Sequence, residues 1–221
     1  MLATDFDTAS DLLLHFDGAD NATTFTDSSS NNYSVTRGGS ATISTAQSKF
    51  GGSSLLVTGG DDCVTVPAGS NFAYGTGDFT IEAWIYRTST SDIATVFAQT
   101  ESGTNYVMLA VDSDGTVFFI GTDSGGGDAI EGPAGNLVAA NTWHHIAVVR
   151  SSGYVKVYCD GVGGTATENT TNFSDTSRVP TVGRYTHSSE ISFVGHIDEL
   201  RVVKGAAIYT GNFTPPTVAY T

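Results

Sequence analysis

A chain of 221 residues with 39% hydrophobic and 10% aromatic residues can bury one substantial core, which excludes a disordered polymer. Twenty-six glycines and only 14% charged residues suit many short strands joined by turns and leave little material for amphipathic helices. A formal net charge of −14, from nine basic against 23 acidic side chains, sets aside a generic polyanion-binding surface, so nucleic acid is not an expected partner.

The opening "MLATDFDTASDLLLHFDG" has no basic n-region, and its three-leucine run is too short for a signal-peptide core or a membrane span. Neither a secretion signal nor membrane insertion is expected. Period-2 runs bounded by Gly, Asn, Asp and Ser then follow one another: "DLLLHF", "SSLLVT", "DCVTVP", "DFTIEAWIYR", "IATVFAQT", "YVMLAVDS", "TVFFIG", "WHHIAVVR", "YVKVYCDG" and "HIDELRVV". So many strands in one domain must stack as two sheets or close on themselves to hide their edges, which predicts an all-β antiparallel sandwich. "DSDGT" (112–116) and "RSSGY" (150–154) read as tight hairpins. "TDSGGGDAIEGPAGN" (122–136) is too long and glycine-rich for a hairpin tip and reads as a surface loop. The tail "NFTPPTVAYT" cannot continue a central strand, because Pro215 and Pro216 remove ladder donors; it is expected to leave the sandwich as an extended exit. Cys63 and Cys159 show no metal-motif spacing and each lies within a strand-like run, leaving two buried free thiols or a single bridge as the alternatives.

Alternation assigns faces. In "DFTIEAWIYR", Phe79, Ile81, Ala83 and Ile85 point to the core, while Glu82, Trp84 and Tyr86 point away from it. In "GHIDELRVVKG", Asp198 shares a face with Leu200 and Val202, and Glu199 shares the other with Arg201, as a same-face ion pair. Asp198 and Glu199 therefore cannot converge on one glycosidic bond as hydrolysis requires.

The series "LLLHFDG", "SKFGGSSLLVTG", "DDCVTV", "DFTIEAWIYR", "NTWHHIAVVR", "VKVYCDGV" and "GHIDELRVVKG" resembles the laminin-G-like, concanavalin A-like jelly-roll family over nearly the whole chain. The resemblance implies one domain over 1–221, with a core of about 11–213, in which two curved antiparallel sheets pack face to face and the first and last strands are neighbours. It brings Asp17 beside Asp198. Two acids so placed repel unless a cation lies between them, so calcium is the expected cofactor, with the carbonyls of "FGGSS" (50–54) as further oxygen donors and Asp27 and Asp62 as weaker ligand candidates; the alternative is that Asp198 accepts backbone amide bonds at a strand end and Asp17 caps a turn. The Glu-x-Asp-x-Glu run of the family's hydrolytic members has no match, so the chain is not expected to be an enzyme, and a glycan-cleaving activity is the minor alternative. Jelly-roll lectins bind on loops or on one sheet face, which nominates Trp84, Tyr86, Tyr106, Asp128, Arg184, Tyr185 and His187 for sugar binding. "GAAIYTGNFTPPT" further resembles the ends of such modules in bacteriophage and marine microbial proteins. This implies a virion surface protein, a tail fibre or decoration, that recognises host glycans and is extracellular once assembled, homo-oligomers included. The alternative is a purely structural decoration that contacts neighbouring virion subunits.

Overall fold

The computed structural model describes residues 10–102, 105–122, 129–186 and 191–221. In chain order the strands are β1 (Leu12–Leu14), β2 (Thr36–Gly38), β3 (Thr42–Ser44), β4 (Ser54–Thr58), β5 (Cys63–Thr65), β6 (Phe79–Arg87), β7 (Ala94–Ser102), β8 (Asn105–Val111) and β9 (Val117–Thr122). They continue as β10 (Ile130–Glu131), β11 (Trp143–Ser151), β12 (Tyr154–Cys159), β13 (Val162–Gly163), β14 (Thr167–Glu168), β15 (Val179–Val182), β16 (Arg184–Tyr185), β17 (Ile191–Ser192) and β18 (Val194–Lys204). Sheet one has the order β13-β12-β11-β6-β18-β4-β3, with β1 added to β18 and β14 to β12. Sheet two runs β10-β9-β8-β7-β15-β5-β2, and β16 and β17 form a small hairpin of their own. Neighbouring strands run antiparallel. This is the two-sheet jelly-roll sandwich that the sequence predicts. Among the described residues no helix is long and apolar enough to cross a membrane.

The core lies between the sheets. From sheet one it takes Phe79, Ile81, Ala83 and Ile85 of β6 with Ile146 and Val148 of β11, and it meets Val107, Leu109, Val111 and Phe119 from sheet two. Burying each of the larger side chains is worth about 1.5–3 kcal/mol, which is why strict alternation in these strands fixes their register. Both predicted hairpins form: 112–116 joins β8 to β9, and at the β11–β12 turn Ser152 and Gly153 both take positive φ (52° and 82°), the geometry whose twist matches flanking strands.

Two elements depart from the sequence reading. β15 pairs with β7 on one side and β5 on the other although it contains Pro180. The Pro180 carbonyl accepts the Val66 N–H (3.2 Å), so the missing proline N–H costs a single ladder bond at the end of the strand. The tail, expected to exit, instead turns back over the outer face of sheet one. Thr80 Oγ1 accepts the Ile208 N–H (3.0 Å) and donates to the Ala206 carbonyl (3.0 Å). The Phe213 N–H donates to the Gly161 carbonyl (2.9 Å). The Tyr209 and Phe213 rings stack at 3.5 Å, and Tyr220 is 7% exposed. The prolines do stop strand pairing, but aromatic burial holds the segment against the sheet as a strap.

Candidate functional site

One edge of β18 pairs with β6, while the other is divided between β4 (at Val194–Ile197) and β1 (at Leu200–Val202). Between the two partners the register of β18 shifts from Asp198 to Arg201, and Glu199 takes a left-handed φ of 50°. This β-bulge changes the face parity that strict alternation predicts. Asp198 does not share a face with Leu200 and Val202, which enter the core; it lies opposite Trp84 on the outer face. The expected Glu199–Arg201 pair is absent too. Arg201 donates to Glu82 through Nε (2.7 Å) and Nη2 (2.6 Å), whereas Glu199 accepts from His15 Nδ1 (2.9 Å) and from the Tyr220 N–H (2.9 Å).

The gap beside the bulge is filled by the turn after β1 and the loop before β4. Asp198 is 0% exposed; its Oδ2 accepts the N–H groups of Lys49 (2.7 Å) and Phe50 (3.2 Å), while its Oδ1 has no hydrogen-bond partner. Burial pushes the Asp198 carboxyl up to about 7, against those amide bonds. Asp17 is exposed, and its carboxylate stands where a side chain on Gly51 (φ +61°) would have to lie. The hydrogen bond that His15 donates to Glu199 raises its imidazole against desolvation, and the charges of Asp17 and Asp198 add to the rise. Both acids therefore meet the one loop at 49–51, and the first and last strands are neighbours as expected. The unpartnered Asp198 Oδ1, the Asp17 carboxylate against the same loop and the carbonyls of that loop make up a hard-oxygen donor set of the kind calcium takes. Asp27 and Asp62 do not join it. Asp27 accepts from Leu13, Ser29 and Tyr33, and Asp62 from Ser40 and Thr58, so both are consumed in shaping turns.

Trp84 offers no open ring. It is 6% exposed, with Lys49 Nζ 3.7 Å above it and Phe50 and His145 edge-on at 6.2 and 5.2 Å. Tyr86 stays half-buried between Trp143 (5.6 Å) and His196 (6.0 Å). The adjoining Glu82 is fully buried and holds the strap: Tyr209 donates to its Oε2 (2.8 Å), as does His145 Nε2 (3.1 Å). Burial alone would raise the Glu82 carboxyl, but Arg201 and His145 outweigh it and bring it to about 2.

The remaining candidates gather on the other side of the molecule. The outward face of sheet two, where a solvated sheet places polar residues, carries a second buried apolar cluster of Ala98, Met108, Ala110 and Phe118, with Tyr185 of the β16–β17 hairpin (6% exposed) packed on it and Ile120 at its margin. Tyr106 meets Tyr185 edge-on at 5.2 Å, and Arg184 pairs with Asp61 at 2.7 Å. Asp128 and His187 lie outside the described residues. At its end this apolar face opens into a cleft of about 520 Å3. Ile93, Ala94, Ile191 and Val194 form its apolar lining, and Ser89, Ser91, Asp92 and Ser192 its polar one. Strand patterning could not find the cleft. Its only sequence signal is the hydroxyl-rich link "TSTSD" (88–92) between two strands.

The cluster of His144, Cys159 and Asp160 has ligand atoms within 4.8 Å of one another but is already satisfied. The Ala139 N–H donates to His144 Nε2 (3.1 Å), which leaves Nδ1 to donate to Asp160 (2.7 Å). Burial pushes the Cys159 thiol up to about 12, far from the thiolate a metal would need. Cys159 and Cys63 are both free and buried.

Fold and site together define a two-sheet jelly roll with its first and last strands paired and an apolar outer face leading into a rim cleft. The match of residues 58–207 to the Laminin_G_3 family, of the concanavalin A-like lectin/glucanases superfamily, covers more than half of the chain, and the protein belongs to that family. Among solved structures it is similar to domain 4 of AbnA, a GH43 extracellular arabinanase from Geobacillus stearothermophilus, in complex with arabinotriose (21% identity, 89% of this chain and 92% of that one, TM-score 0.69). It is also similar to the ligand-binding domain of botulinum neurotoxin serotype D in complex with N-acetylneuraminic acid (15%, 91% and 49%, TM-score 0.68). A further similarity is to the binding domain of Paraclostridial Mosquitocidal Protein 1 (14%, 92% and 51%, TM-score 0.67). The chain spans about half the length of those two toxin domains. No curated protein matches it.

Proposed function

We propose that the protein is a non-catalytic, calcium-stabilised carbohydrate-binding module that acts in adhesion, as a tail fibre or decoration on a virion surface recognising host glycans. The observation that carries the glycan reading is the cleft at the rim of sheet two, with Ile93, Ala94, Ile191 and Val194 as its apolar lining and Ser89, Ser91, Asp92 and Ser192 as its polar one. Aromatic and aliphatic surface covers the C–H faces of sugar rings while hydroxyls and a carboxylate satisfy their O–H groups. Among the described residues lining the cleft, Asp92 is the one carboxylate, whereas glycoside hydrolysis needs two. The complexes of similar domains with arabinotriose and with N-acetylneuraminic acid support the same reading. The virion assignment rests on the likeness of the strap sequence to the ends of bacteriophage modules.

In this reading Asp17 and Asp198 would hold the calcium ion, Asp198 through its unpartnered Oδ1, and the ion would neutralise a carboxylate that burial otherwise penalises. A glycan-array screen with and without chelator tests the proposal. Reproducible binding to a sugar class, with no turnover of that sugar, is expected. A blank array together with binding to virion subunits would replace it with a purely structural decoration, and hydrolysis of the sugar would overturn the non-catalytic assignment.

A further inference from the structure

The walls of the cleft at the end of sheet two are held in place by groups that serve no other evident purpose. Arg87 is 0% exposed, and its guanidinium donates to the backbone carbonyls of Ser89 (2.9 Å), Asp92 (3.4 Å) and, through Nη1, Asp112 (2.7 Å). A buried cation satisfied by carbonyls of the 88–92 link and of the β8–β9 turn carries a desolvation cost, and its structural return is to fix the two against each other. The opposite wall is pinned in the same way. Ser192 Oγ donates to the Gly60 carbonyl (2.7 Å), and Arg184 bridges from the β16–β17 hairpin to Asp61 (2.7 Å), next to that carbonyl. A cavity of about 520 Å3 between two fixed walls falls within the roughly 300–1,000 Å3 of small-ligand sites and asks little ordering of the protein on binding.

The chemistry of the lining narrows the ligand. Ile93 and Ile191, half-buried at the edge of the apolar cluster on sheet two, also line the cleft, so the C–H face of a sugar could lie on them. Serine hydroxyls and Asp92 supply acceptors and donors for sugar hydroxyls. Among the described lining residues none is Lys, Arg or His, and the cation beside the cleft, Arg184, is engaged by Asp61. Asp92 and Asp61 are exposed, on a chain whose net charge is −14. A carboxylated sugar would therefore meet like charge with no paired cation on the lining.

We propose that this cleft is a sugar subsite selective for neutral over carboxylated glycans. The inference rests on the glycan-binding reading and adds to it a place and a ligand class. It is tested on the full chain by isothermal titration with arabinotriose, maltotriose and chitotriose as neutral probes and sialyllactose and trigalacturonic acid as acidic ones, with Ser91→Trp to fill the cleft and Asp92→Lys to invert its charge. Both positions are exposed, and melting curves confirm folding. The expected result is binding of at least one neutral probe, weakened about tenfold or more by Ser91→Trp. Asp92→Lys should shift the neutral-to-acidic affinity ratio towards the acidic probes by a similar factor. Neutral-sugar binding that both variants leave unchanged overturns the subsite while the glycan reading stands, and so does a wild-type preference for the acidic probes. Binding of no probe by the folded protein, together with a blank array, removes both.

Discussion

Asp198→Asn should change the sign of its effect on stability when calcium is added. The Asp198 carboxyl is held at about 7, against its ordinary 3.8, because burial disfavours its charge. At about 1.4 kcal/mol per pH unit, keeping it ionised in that place above pH 7 costs about 4 kcal/mol. Asparagine keeps an acceptor for the Lys49 and Phe50 N–H groups and loses the charge, but it leaves an unpartnered amide that costs about 1–3 kcal/mol. In chelator at pH 8 the variant should therefore be more stable than the wild type by about 1–3 kcal/mol. At calcium a thousandfold above its dissociation constant, the wild type gains about 4.1 kcal/mol that the variant cannot, which exceeds that lead, and the order reverses. The pH dependence follows from the same linkage. Between about 3.8 and 7 the folded wild type binds a proton that the unfolded chain does not, so without calcium its stability is full below the unfolded value and falls as pH rises through that window. Saturating calcium should flatten that fall. Urea unfolding of both proteins in EGTA and in calcium reads all four stabilities, and an effect of the same sign in both buffers would refute the assignment of calcium to Asp198.

Gly51→Ala should destabilise the protein and weaken its response to calcium, since the new methyl would collide with the Asp17 carboxylate at a backbone position of positive φ; differential scanning calorimetry in both buffers reads this. Glu82→Gln should cost about 3–5 kcal/mol in chemical denaturation, because it strips a fully buried charge from Arg201 and loosens Tyr209 of the strap. Tyr209→Phe, which removes one hydrogen bond to that carboxylate, should cost about 1.5–3 kcal/mol in the same assay. Thiol labelling without reductant should modify both Cys63 and Cys159 in the unfolded chain and neither in the folded one.

All ten strands read from alternation form, because each places its apolar residues between two sheets and a register slip would expose them. Strands missed by that reading have no such pattern: β15 contains a proline, β10 is two residues inside a glycine-rich run, and β16 and β17 lie on a sheet rather than in one. Period-2 logic failed at Asp198 and Arg201 for a definite reason. A bulge placed where β18 changes partner moves Asp198 to the outer face, and nothing in "IDELRV" marks an extra residue. Tertiary partners were equally hidden. Alternation puts Trp84 on the outer face and leaves it either a stacking platform or a residue covered by a loop or neighbouring strand; Lys49 and Phe50 cover it, while the prolines of the tail could not disclose that Tyr209, Phe213 and Tyr220 return to the sheet. Tyr106 and the adjacent pair Arg184 and Tyr185 lie in two distant stretches, and the fold brings the rings of Tyr106 and Tyr185 within 5.2 Å of each other.

The claim that sheet two carries the glycan is tested most directly by mapping amide chemical-shift changes as a bound oligosaccharide is titrated into labelled protein in calcium. The account predicts shifts concentrated at the cleft, at Ser91, Ile93, Ala94, Ile191 and Ser192, with the sugar recovered intact. Shifts centred on Tyr86 and Trp143, on the outer face of sheet one, would contradict it.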